Sequence, residues 1–298
     1  MNAREEGFLL LSSTLGDPAR KPLTTAQLRS LAARVSAMAR PTENRELTAA
    51  DLTALGYGMD MAQRILKLLG DTQLLRYYLS KAKQANCVPV TRVSPEYPAH
   101  MRHRLGLDSP GVLWAKGDLS LLQMPMIALV GSRDIDPPNR KFAARVGEEA
   151  ARQGFVLVSG NARGADRIAQ RACLAAGGRV ISVVADELMK QEQTEGVLYL
   201  SEEGFDCPFT SIRALSRNRV IHALGEKTFV AQSNLRHGGT WSGAARNLKE
   251  SWSPVFCFRD GSAAALQLEQ LGARLIVPDD LTDLNGLQAQ TLSFFGKN

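Results

Sequence analysis

Three glycine-bearing turns hold the side chains of this 298-residue sequence best suited to chemistry. In Gly131-Ser132-Arg133 the glycine admits close backbone approach to a ligand, Ser132 caps the turn or bonds a phosphate oxygen, and Arg133 supplies charge. Ser159-Gly160-Asn161-Ala162-Arg163-Gly164-Ala165-Asp166 repeats the combination. Here Asp166 stands in the first turn of the next helix, where its carboxylate organises the loop by accepting backbone N–H bonds. The third turn ends in Gly238-Gly239-Thr240-Trp241, an anion cradle beside an indole that is either a stacking surface or a core-edge aromatic. Upstream of it lie Arg213, Arg217, Asn218 and Arg219. Because the apolar Val220-Ile221 follows directly, at least one of these arginines must face the surface or the loop cluster. Turn amides and guanidinium forks are phosphate chemistry, and no nucleophile–base spacing or carboxylate pair accompanies them.

The elements that position these turns follow from periodicity. Apolar runs at 126–130, 155–159, 179–184, 197–201, 227–232, 254–258 and 274–277 read as strands, and the stretches 139–153, 165–177, 210–224, 241–250 and 262–271 as helices. Such alternation predicts an α/β fold over residues 123–298: an extended Rossmann-like, mainly parallel, doubly wound sheet with helices on both faces. The glycine turns then share its carboxyl edge, where open sheets of this kind bind phosphates. Residues 1–85 read as a small all-helical domain. A helix runs over Thr24–Ala39 until Pro41, a short one starts at Thr48–Asp51 and ends at Gly56, and another opens at Asp60 and closes at Gly70. Helix, Gly-Tyr-Gly, helix is either a hairpin that grips a nucleic-acid backbone or a bundle that caps the main domain or binds another protein. Residues 86–122 read as a lead-in packing on the sheet, with a short strand at Val112–Trp114; His100 and His103 read as surface residues.

Composition sets the bounds. No apolar run approaches the roughly 20 residues of a membrane span, and the N-terminus MNAREEGFLLLSS is too acidic for a signal peptide. The four cysteines are scattered, as expected of reduced thiols in a cytoplasmic protein, and no metal site is expected. Residues 1–95 carry 13 Lys+Arg against 8 Asp+Glu, and the remainder 23 against 22, so a polyanion must bind the main domain through a local patch. Arginine exceeds lysine 26 to 10, which suits bidentate phosphate contacts and is equally produced by high genomic GC content.

The ordered set GSR, SGxARGAD, SRNRVIHAL and GGTWSGAA, preceded by YPxxMRxxLG and VLWAKGD, resembles the DprA/Smf family of DNA-processing proteins over residues 90–260. The resemblance implies a helical N-terminal domain on an extended Rossmann fold. It also implies single-stranded DNA binding at the basic edge, homodimerisation, and loading of the RecA recombinase in transformation. It carries DNA-contact roles onto Arg133, Ser159, Gly160, Arg163, Gly164, Asp166, Arg217, Asn218 and Arg219; the residues themselves add Gly131, Ser132, Gly238, Gly239, Thr240 and Trp241. No catalytic residue, metal or cofactor is implied. Two departures stand out: the loop 185–193 is short and acidic, with Lys190 its only base, and the C-terminal winged helix of many members is not expected.

A competing expectation is a nucleotide sensor or phosphoribohydrolase-like protein of the related fold. Those cytokinin-activating enzymes carry a GGxGTxxE loop, and aligning the threonines puts Gly243 where their glutamate stands. The GxGxxG spacing of dinucleotide enzymes is missing as well.

Overall fold

An apolar run without alternation marks a strand covered on both faces, and Met126–Val130 is buried at every position. The computed structural model describes residues 1–38 and 46–289, so the helix stop at Pro41 lies outside the described residues. Nine strands form one sheet among them: β1 (Val88–Thr91), β2 (Val112–Lys116), β3 (Met126–Val130), β4 (Val156–Ser159), β5 (Arg179–Val183), β6 (Val197–Ser201), β7 (Thr228–Val230), β8 (Val255–Phe258) and β9 (Arg274–Ile276). Their spatial order is β1-β2-β6-β5-β4-β3-β7-β8-β9. Every pairing among β3 to β9 is parallel, and β1–β2 and β2–β6 are antiparallel. The chain therefore steps outward from β3 to β6, then returns to place β7 on the other side of β3. That reversal opens a crevice between the β3 and β7 loops, the switch point of a doubly wound sheet.

Eleven α-helices occur among the described residues: α1 (Ala3–Ser12), α2 (Thr25–Ser36), α3 (Ala49–Ala54), α4 (Met59–Gly70), α5 (Thr72–Gln84), α6 (Ala99–Leu105), α7 (Pro137–Arg152), α8 (Ala165–Ala175), α9 (Ser211–Leu224), α10 (Gly238–Glu250) and α11 (Ala263–Gln270), with α2 to α4 packed in a cluster of their own. Helices α7 and α8 bury Phe142, Val146 and Cys173 on one sheet face. On the other, α6, α9, α10 and α11 bury Met101, Val220, Ala244 and Leu268.

The amino-terminal helices start where their sequences cap them. Thr24 with Gln27, and Thr48 with Asp51, form reciprocal capping boxes for α2 and α3. Helix α4 begins at Met59, one residue before the expected Asp60, and α2 ends at Ser36. The Gly56-Tyr57-Gly58 turn is held from within: Arg34 of α2 donates to Leu55 O at 2.6 Å and its guanidinium lies 4.6 Å from the Tyr57 ring centre.

The expected lead-in is corrected. Residues 86–122 do not merely lie against the sheet; they extend it through β1 and β2, because Val112–Lys116 is buried throughout and pairs on both sides. Trp114, fully buried, then meets Tyr78 of α5 and Phe205 at ring-centre distances of 5.3 and 5.1 Å. His100 is likewise half-buried rather than a surface residue: its Nε2 lies 3.0 Å from Leu224 O at the end of α9. No cluster of three metal-ligating side chains occurs among the described residues.

Candidate nucleic-acid interface

The first two glycine turns interlock. Ala165 N–H donates to Ser132 O at 3.2 Å, and Gly164, at φ +89°, lies directly on the Ser132 and Arg133 carbonyls. A methyl group on Gly131 would overlap Ala165 Cβ, so the first turn needs glycine for packing. The first turn is also tied to the loop after β7: Ser132 N–H and Oγ both donate to Gln232 O, at 3.0 and 3.2 Å. Of the two roles open to Ser132 it takes the turn-capping one. What remains free at this junction is the exposed Arg133 side chain.

Arg217 is the unusual member. It projects from α9 onto Gly160, so closely that a Cβ there would fall within the guanidinium. The side chain is almost fully buried, and its Nε has no hydrogen-bond partner. Burial works against its charge, the Asp166 carboxylate supports it, and the like charge of Arg133 opposes it. Asp166 is buried beside it and accepts from Ala162 N–H at 3.2 Å, the loop-organising role expected of it. Burial raises its pKa, while Arg217 and the amide of Ala162 hold it down. The Ser159 hydroxyl and the Gly160 amide hold the carboxylate down as well. A buried cation with an unmet donor is a poor stabiliser of the fold, even beside a carboxylate.

The third turn forms the far wall. Helix α10 begins at Gly238, earlier than its expected start at 241, so the two glycines and Thr240 make its first turn. No side chain caps that end, leaving its amides and the positive end of the helix dipole at the groove. Asn218 secures the position by donating to Gly239 O at 3.1 Å. Arg133, Asp166, Arg217, Asn218, Gly239 and Thr240 thus line one cavity of about 460 Å³ at the switch point.

Two anticipated contacts lie elsewhere. Arg219 points away from the groove: its guanidinium pairs with Glu202 at 2.8 Å and bonds Asp108 O and Ser216, since its place on α9 faces the β6 side. Trp241 packs half-buried against the core of the sheet face, the second of the two readings left open for it. Arg163 is at the groove but shares its charge with Asp134 at 2.6 Å, both exposed.

Other groove residues escaped the sequence reading. Phe209, 53% exposed, lines the cavity and offers the flat apolar surface expected of Trp241. Arg140, Arg167 and Arg171 join Arg133 and Arg163 around an adjoining hollow between α7 and α8. Part of their signal was present: Arg167 and Arg171 stand four apart on one face of α8, with Arg163 just before its N-cap. In the loop 185–193, Lys190 pairs with Glu187 at 2.6 Å, and Asp186 lines the groove beside Arg217.

The family described as DNA recombination-mediator protein A matches residues 89–284, the span that carries β1 to β9 and every glycine turn. The chain belongs to that family. DNA processing protein DprA of Bacillus subtilis is 29% identical over 205 residues, 64% of this chain and 68% of that protein. The DprA of Streptococcus pneumoniae is 30% identical over 182 residues, 57% and 64% of the two chains, and Protein Smf of Escherichia coli 28% over 193 residues, 59% and 51%. The chain thus spans between about half and two thirds of the length of these relatives. The X-ray structure of S. pneumoniae DprA matches with a TM-score of 0.70 at 25% identity, covering 93% of this chain and 95% of that one. Helicobacter pylori DprA, whose structure is described for its single-stranded DNA binding mode, shares the fold at 24% identity, with a TM-score of 0.56 over 66% and 94% of the chains.

Proposed function

We propose that this family member is a non-catalytic, single-stranded DNA-binding protein that holds the DNA backbone in the groove at the switch point. The observation that carries the reading is Arg133: one exposed guanidinium, fixed at the root by two interlocked turns, borders all three hollows along the sheet edge. A ligand with phosphates in series can use all three; a mononucleotide uses one. Phosphates would meet Arg133, Arg163, Arg217 and the free amides of α10, while bases stack on Phe209. Glycosidic hydrolysis has no support at the position that defines it. Gly243 stands where a glutamate would be needed, and a Cβ added to it would lie 2.9 Å from the buried His222 Nε2.

Delivery of that DNA to the RecA recombinase in transformation, a cytoplasmic location and a homodimer belong to the same proposal. Self-association is supported by Leu266, Leu271 and Val277, all exposed near the unpaired edge of β9. No helix among the described residues is long and apolar enough to cross a membrane.

The test is a gel shift with oligo-dT. Arg133→Ala should weaken binding at least tenfold, about 1.4 kcal/mol, with an unchanged melting temperature. Unaltered affinity, or equal affinity for a mononucleotide and the oligomer, refutes the proposal.

A further inference from the structure

The surplus of cations in residues 1–95 takes no part in the sheet-edge groove. Some of it surrounds a second concavity of about 560 Å³, walled by α1 and α2 on one side and by the segments flanking α6 on the other. The floor is apolar, with Phe8 of α1, Leu28 and Val35 of α2, and Val93 and the exposed Leu107 opposite. The rim carries Arg4 and Arg29 from the helical side and Arg92 and Arg102 from the other. None of the four pairs with a carboxylate among the described residues. Burial works most against the charge of the half-buried Arg92 and the like charges of Arg102 and Arg29 add to it, while Arg92 donates to Gly106 O at 3.1 Å and Arg102 to Arg92 O at 3.3 Å. Four cations on two rims with no carboxylate beside them make the trough complementary to an anionic occupant.

We infer that this groove docks an acidic amphipathic helix of a partner protein. Two walls with an apolar floor match an i, i+3, i+4, i+7 stripe. Cations on both rims match carboxylates on both flanks of that stripe. Segments of this chain outside the described residues fit less well. Residues 39–45, ARPTENR, have no large apolar side chain, and residues 290–298, QTLSFFGKN, bring Phe294 and Phe295 but no acid. A fatty acid would satisfy the floor but meet one rim only. The inference is independent of the DNA reading, because the two grooves share no residue.

The probe is a fluorescein-labelled helical peptide with leucines at those positions and glutamates on both flanks, beside a copy with lysines for glutamates. Anisotropy with the full chain should show binding of the acidic peptide and none of the lysine copy. The double variant Arg29→Glu/Arg102→Glu, and separately Leu107→Asp, should each weaken it at least tenfold. These three side chains are exposed, and an unchanged melt and unchanged oligo-dT affinity show that the fold and the DNA groove are intact. Arg133→Ala should leave peptide binding as it was. The inference is overturned if the acidic peptide fails to bind, if its binding ignores the rim and floor variants, or if Arg133→Ala abolishes it. It is also overturned if dodecanoate displaces the peptide at equal concentration, or if a chain ending at residue 289 binds at least tenfold tighter.

Discussion

Arg217 and Arg219 sit two residues apart on α9 and do opposite work. Arg217 enters the groove with an unmet donor, whereas Arg219 neutralises Glu202, whose side chain is 5% exposed. Arg219→Ala strands that carboxylate and should lower stability by about 3 kcal/mol. Purified at a temperature where it stays folded, the variant should keep oligo-dT affinity within twofold, the reverse of Arg133→Ala. A chemical denaturation curve and a gel shift on both variants check the pair. The motif SRNR could not show this in sequence, because residues two apart on a helix face different ways and only the folded neighbours say which way is inward. Asp166 was legible, since a carboxylate in a helix's first turn has few other partners. His222 was not singled out. It is completely buried, accepts from or donates to Asn247 at 3.1 Å, and burial pushes its pKa down to about 3. The unfolded chain takes up that proton near pH 6.5 and the folded one does not. Stability is therefore full above 6.5 and falls as pH drops, by up to ~1.4 kcal/mol per unit. His222→Gln should flatten the melting profile between pH 6.5 and 5, leaving the slope that the half-buried His100 and the raised carboxylates Asp166 and Glu202 contribute.

At the scale of elements, the periodicity predicted every strand from β3 to β9, because parallel strands buried on both faces have no other pattern to show. It missed β1, where Val88-Pro89-Val90-Thr91 is short, interrupted by proline and only half-buried. A proline belongs on such an edge strand. It also placed Gly238 to Thr240 in a loop, since glycine argues against helix, although there it supplies the first turn of α10. Helix α8 carries the clearest element-level expectation. Arg167 and Arg171 extend the row begun by Arg163 along one exposed face. If single-stranded DNA runs along that face, Arg171→Ala should lower the slope of log K against log salt by about 0.7, one phosphate's worth, while leaving dT and mixed-sequence oligomers equally bound. A salt titration between 50 and 200 mM reads it directly.

For the molecule as a whole, the boundary near residue 85 is a change of secondary structure, not a break in the core. Tyr78 of α5 packs against Trp114 and Phe205, and its hydroxyl donates to Asp206 at 2.7 Å. Leu9, Leu10 and Leu15 close the same cluster over β2. The sequence showed two compositions, helical before and alternating after, and nothing in periodicity tells that their apolar faces meet. Trp114→Ala should cost about 3–5 kcal/mol in a single cooperative melt. Two separate transitions in calorimetry would instead mark independent units. The cluster also ties α1, one wall of the apolar groove, to the sheet whose edge carries the switch-point groove.

The interlocked turns have a consequence for how such chains diverge. Gly131 has no Cβ because Ala165 Cβ occupies the space, and Gly164 has none because the Ser132 and Arg133 carbonyls do. Gly131 does not need a left-handed backbone, whereas Gly164 does. Position 131 is therefore open to alanine in a lineage that first reduces position 165 to glycine and eases the remaining 3.3 Å approach to Ala231 Cβ, a paired exchange. Position 164 has no such partner and is closed to change by either route.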